Sequence, residues 1–94
     1  MPVWVFDEIN CCAIVAQNGH LDCLRYLHEN YYLWNEYTCE NAAENGHLDC
    51  LRYAHEHGCP WDEYTCLAAE KNGHLECLQY AKENGCLYIP QMNN

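Results

Sequence analysis

Around Leu48 the chain alternates in a way that only a helix explains. Leu48, Leu51 and His55 fall at i, i+3 and i+7, with Cys50 and Ala54 beside them, while Asp49, Arg52 and Glu56 form the opposite stripe. An apolar face at this spacing predicts an amphipathic helix from near His47 to about His57, closed by Gly58. Ion pairs along its polar stripe are worth only ~0.2–0.5 kcal/mol each. A shorter helix precedes it. Asn35 is a good N-cap, Glu36 follows where the helix dipole favours an acid, and Asn45-Gly46 ends the run near Glu44. Its buried side carries the small pair Ala42-Ala43, matched later by Ala68-Ala69, which lets neighbouring helices approach closely.

The same pattern is written three times. His20, His47 and His74 recur at one constant step, and so do Cys23, Cys50 and Cys77, then Leu24, Leu51 and Leu78, then Tyr26, Tyr53 and Tyr80. "WNEYTC" at Trp34 and "WDEYTC" at Trp61 share that step. "FDEINC" at Phe6 is a relative shifted by one position, which predicts an insertion ahead of Asn18-Gly19. Asp62, Asn72-Gly73 and Gly85 repeat the cap and break signals in the third copy. Repetition of this kind signals a stacked array, because one small hairpin cannot bury its own apolar face. The expected fold is all-α: an α-solenoid of three stacked helix-turn-helix units. The expected organisation is one repeat domain over residues 1–94, with units at 7–34, 35–61 and 62–88 and residues 89–94 as a tail or the start of a fourth. Tyr31 and Tyr32 stand where the next loop has Gly58-Cys59, so the first loop should differ.

Composition narrows the function classes. Half of the 94 residues are apolar or aromatic, as a globular chain requires. Four basic residues against fourteen acidic ones leave a net charge of −10. That balance argues against nucleic acid, whose binding needs clustered Lys and Arg, and against an anionic membrane surface. The expected partner is another protein, and a basic one suits the charge. "MPVWVFDE" lacks the basic start and apolar run of a signal peptide, so the expected location is intracellular and cytoplasmic. In that compartment nine cysteines read first as buried thiols.

"AAENGHLDCLRYAHEHG" in the middle copy resembles the core of an ankyrin repeat, in which a short helix ends at a Gly-His turn and an amphipathic helix leads to a second Gly. The resemblance spans about Phe6 to Tyr88. It implies structural roles for Gly19, Gly46 and Gly73 at the turns, and for His20, His47 and His74 as staples that hydrogen-bond the preceding loop. By the same likeness Trp61, and Trp34 with it, would fill a buried position. The period of 27 is shorter than the ~33 of ankyrin repeats. The missing residues lie between Asp62 and Thr65, where a β-hairpin finger would extend, so the units look fingerless. Short arrays of this kind are similar to those of large DNA viruses and unicellular eukaryotes. For a viral chain the expected location becomes the host cytoplasm.

Candidate chemistry is sparse. Cys39, His47, Cys50 and Cys59 could together supply zinc ligands, which makes a metal-binding protein the alternative reading. The stronger reading assigns no metal and no cofactor, since Cys50 stands at a core position. Cys39 with Cys50, and Cys66 with Cys77, could cross-link the helices of one hairpin if they came within reach. No catalytic residue is assigned, because every candidate recurs in each copy while catalysis needs its groups once. The expected function is a non-enzymatic protein–protein interaction module. Its binding surface is expected at first-helix positions that are exposed or vary between copies: Glu36, Tyr37, Glu40, Glu44, Glu63, Tyr64, Leu67 and Lys71. Packing of Tyr37 and Tyr64 between units is the competing account of those two residues. The apolar "VWVF" and the abrupt Ile89-Pro90 suggest an open terminal face, which is expected either to pack against another chain, as in self-association, or to belong to a longer array.

Overall fold

The computed structural model describes residues 4–86, and side chains from residue 11 onward. Six helices and no strand are found among the described residues: α1 (Trp4–Gln17), α2 (Leu21–Glu29), α3 (Glu36–Glu44), α4 (Leu48–Glu56), α5 (Glu63–Lys71) and α6 (Leu75–Glu83). The fold is all-α. None of these helices is long and apolar enough to cross a membrane.

The cap signals do their work locally. The Asn35 side chain accepts the Tyr37 N–H at 3.0 Å, and Asp62 accepts the Tyr64 N–H at 3.0 Å, so α3 and α5 begin where their capping residues stand. At the other end, Asn18, Asn45 and Asn72 each donate their Nδ2 to the carbonyl one helical turn back. Asn30 and Asn84 do the same after α2 and α6, and His57 Nδ1 lies 2.8 Å from the Tyr53 carbonyl after α4. Every described helix C-terminus thus has a side chain reaching back to its last turn. The turn after α3 is then closed by His47 N–H on the Ala42 carbonyl, with Gly46 at φ +76 between them.

Tyr31 occupies the position that Gly58 and Gly85 hold in later copies, and it adopts the same left-handed backbone, φ +68. The loop after α2 therefore keeps the later geometry with a residue that is strained there. The first copy differs in another respect. Cys12, fully buried, fills the column of Cys39, and Ala16 that of Ala43. The repeat step holds through α1, so nothing is inserted ahead of Asn18-Gly19, and α1 starts at Trp4 with Asp7 inside the helix. The match of "FDEINC" to "WNEYTC" is out of phase. The side chains of "VWVF" and the Ile89-Pro90 start of a fourth unit lie outside the described residues.

The odd-numbered helices lie side by side in chain order, α1 on α3 and α3 on α5. The even-numbered ones form a second row, α2 on α4 and α4 on α6, and each even helix packs on the odd helix before it. The body measures 48 × 25 × 20 Å. Among the described residues Leu24 and Leu51 are its largest fully buried side chains, and the rest of the core is built of small ones, such as Cys12, Ala16, Cys39, Ala42, Ala43, Cys50 and Ala54, continued by Cys66, Ala69, Cys77 and Ala81. Small residues let backbones come close, as the bond from Asn41 Nδ2 on α3 to the Ala13 carbonyl on α1 shows. Cys59 Sγ donates to the Asn35 carbonyl at 3.2 Å and Cys86 Sγ to the Asp62 carbonyl at 3.1 Å, tying the end of each of these pairs of helices to its beginning.

Candidate functional site

The buried stripes of α3 and α5, Thr38, Cys39, Ala42 and Ala43 on one and Thr65, Cys66 and Ala69 on the other, turn the remaining faces outward together. Between them runs an open groove of about 610 Å³ lined by Glu40, Glu44, Tyr64, Leu67, Ala68, Lys71 and Asn72. Five residues singled out from the sequence meet there: Glu40, Glu44, Tyr64, Leu67 and Lys71. Glu36 and Glu63 stand in the first turns of the two helices, outside the groove lining, and Tyr37 lies on α3 one unit before Tyr64. Tyr37 and Tyr64 are 56% and 57% exposed, so they face water and do not pack between units. Ala68 and Asn72 were not anticipated, because neither residue type signals binding by itself.

The groove is electrostatically lopsided. Glu36, Glu40 and Glu44 follow one another at i, i+4 along α3, and Asp62 lies close by. Glu40 is held above the usual carboxylate range, first by burial and then by repulsion from Asp62, Glu44 and Glu36. Lys71 contributes a positive charge to the same lining. The wall thus combines concentrated carboxylates with an apolar strip made by Leu67, Ala68 and the Tyr64 ring.

The cysteines tell a different story. Seven of the nine are buried, and all nine are free thiols. Burial pushes Cys50 and Cys66 up to about 12, and Cys12 and Cys77 up to about 11. Cys59 is raised by the neighbouring Cys39 thiol and by burial. These groups hold their protons at neutral pH, which is the state of packing residues and not of thiolate nucleophiles or ligands. Cys39 meets Cys59, and Cys66 meets Cys86, instead of Cys50 and Cys77 as hairpin bridges would require. Nor does the alternative set Cys39, His47, Cys50 and Cys59 assemble. His47 lies over Gly19, and among the described residues no three His, Cys, Asp or Glu side chains converge as a metal ion needs.

His20, His47 and His74 stand at the N-caps of α2, α4 and α6, and none makes a side-chain capping bond. For His47 and His74 the role is steric and reaches one unit back. A Cβ placed on Gly19 would meet the His47 ring at 2.6 Å, and one on Gly46 would meet the His74 ring at 2.6 Å. In place of the expected hydrogen-bonded staple, the His47 and His74 rings each sit on the turn glycine of the copy before.

Trp34 and Trp61 are half-buried, and they join an aromatic seam instead of filling the core. His28 stacks on Trp34 with centroids 4.2 Å apart, and His55 on Trp61 at 3.9 Å. Tyr53 stands edge-on to the first pair and Tyr80 to the second. Arg25 and Arg52 lie 5.9 and 5.7 Å from the Tyr53 and Tyr80 ring centres, each reaching into the next unit. The repeated columns of the sequence carried the signal for this seam. Compared with known protein families, with curated proteins and with solved structures, the chain matches none.

Proposed function

We propose that the chain is a non-enzymatic protein–protein interaction module, an ankyrin-like α-solenoid of three stacked fingerless units at about 7–34, 35–61 and 62–88. It grips a basic partner segment in the groove between α3 and α5. The observation that carries this reading is the groove itself, where a carboxylate wall lies beside an apolar strip of Leu67, Ala68 and Tyr64. A partner with a Lys or Arg next to a large apolar side chain satisfies both. The cation would offset the burial and the repulsion that together raise Glu40, and the apolar group would cover Leu67. The helix rows, the ring-on-glycine seats and the repeated seam support the stacked architecture. Protonated, buried thiols and recurring polar residues fit packing better than chemistry.

Capture from cell lysate tests the reading. Wild-type protein is expected to retain a partner that a Glu44→Lys, Tyr64→Ala, Leu67→Ser triple variant loses, and added salt should weaken retention by screening the carboxylates. All three positions are only partly buried or exposed, so the variant should stay helical. Equal capture by both proteins would overturn the assignment of the groove.

A further inference from the structure

The internal seams leave one unmatched half at each end. His47 seats on Gly19 and His74 on Gly46, but nothing lies within 4 Å of a Cβ on Gly73. Correspondingly, His20 is exposed where His47 and His74 are half-covered. The pattern extends across both faces. Cys50 and Cys77 are fully or almost fully buried, and Tyr53 and Tyr80 half-buried, yet their first-copy equivalents Cys23 and Tyr26 are exposed, Tyr26 to 63%. Around Cys23 and Tyr26 lies a largely apolar hollow of about 440 Å³, lined further by Cys11, Ile14, Val15 and Leu27, with Asp22 at its side. At the far end Leu75 is 68% exposed, whereas Leu21 and Leu48 are half-buried.

We infer that a second copy of this chain docks head to tail on the first, its α1–α2 face closing on the α5–α6 face as each unit closes on the one before. The argument is continuity with a seam already built twice within the chain from the same residue positions. By the repeat step, His20 of the second copy seats on Gly73, in the hollow that Gly46, Gly73, His74 and Leu75 line. Cys23 comes against α6 as Cys50 and Cys77 come against the helices before them. Tyr26 approaches Lys82, which stands in the column of His28 and His55, with Glu83 where Glu29 and Glu56 stand. A cation beside a tyrosine ring is thereby kept, although Gln79 replaces the arginine of the earlier seams. The two faces differ from one another, so the contact is heterologous and propagates as an open chain of copies. It rests on the stacking part of the proposed function and not on the α3–α5 groove, so failure of self-association leaves partner capture untouched.

Molar mass by light scattering or sedimentation, followed from about 1 μM to about 1 mM, reads the contact directly. The wild type is expected to rise steadily above the 11.0 kDa protomer as concentration increases. Cys23→Arg blocks the head and Leu75→Arg the tail, and both side chains are exposed, so each variant alone should stay helical and monomeric. Mixed in equal amounts, the two should give a species of twice the protomer mass and nothing larger. In the wild type, alkylation of Cys23 should slow as concentration rises. A constant protomer mass with undiminished Cys23 alkylation would overturn the inference. So would blocked variants that dimerise separately, which is the behaviour of a symmetric contact, or that remain monomeric when mixed.

Discussion

Thr38 and Thr65 are both fully buried, and neither hydroxyl has a hydrogen-bond partner. Burying an unpaired hydroxyl is costly, and valine has nearly the same shape without that polar group. Thr38→Val and Thr65→Val are each expected to raise unfolding free energy by about 1 kcal/mol in urea denaturation. A loss of stability at either site would mean that the oxygen is satisfied in solution. Tyr31 presents the opposite case, a strained backbone beneath an exposed side chain, where the later copies have glycine. Legibility at this scale followed chemistry with short reach. Asn35, Asp62 and the Asn-Gly pairs announce their caps because the groups they satisfy lie close by in the chain. The steric part played by His47 could not be read, since its partner Gly19 belongs to the preceding unit.

Each element is marginal alone. Five of the six helices have nine residues, below the ~12–15 at which isolated helices persist in water. Burial of small residues along one stripe holds them, and α3 does so while carrying Glu36, Glu40 and Glu44 on its outer face. Glu40 sits above its ordinary value of 4.5 in the folded chain, so the folded state binds its proton more readily than the unfolded one. Stability should therefore fall as pH rises from that ordinary value through the raised one, and stay level above it. Glu40→Gln should abolish this dependence and gain about 0.5 kcal/mol at neutral pH, a figure kept small because the site is wetted. Thermal unfolding of both proteins across that range checks the sign; a gain that shrinks as pH rises would contradict it. The helix faces were legible because period 3.6 places Cys50, Leu51 and Ala54 together. The phase of the first unit is not legible in sequence because two adjacent cysteines, Cys11 and Cys12, fit two registers, and only burial distinguishes them.

Across the whole molecule, order comes from neighbours. Three pairs of helices share a core of thin residues, and the seams between pairs are lined by His, Trp, Tyr and Arg. Residues 35–61 excised as a peptide are expected to give a coil-like circular dichroism spectrum, since both seams are then lost. A helical, cooperatively melting fragment would count against stacking as the source of stability. The all-helical class was legible in full. The groove was legible in its varying residues, Glu40 against Leu67 and Glu44 against Lys71, but its depth was not, because depth depends on how closely the alanines let α3 and α5 approach.

Because both seats, His47 on Gly19 and His74 on Gly46, use the same two positions of the repeated sequence pattern, a duplicated stretch of that pattern would carry its own plug and its own socket. Such a chain can gain or shed whole units with no compensating change elsewhere. Gain or loss of a lone residue would instead swing a ring off its glycine and spoil that joint. Inheritance should then tolerate changes of length only in steps, and descendants of this sequence should be longer or shorter by complete units.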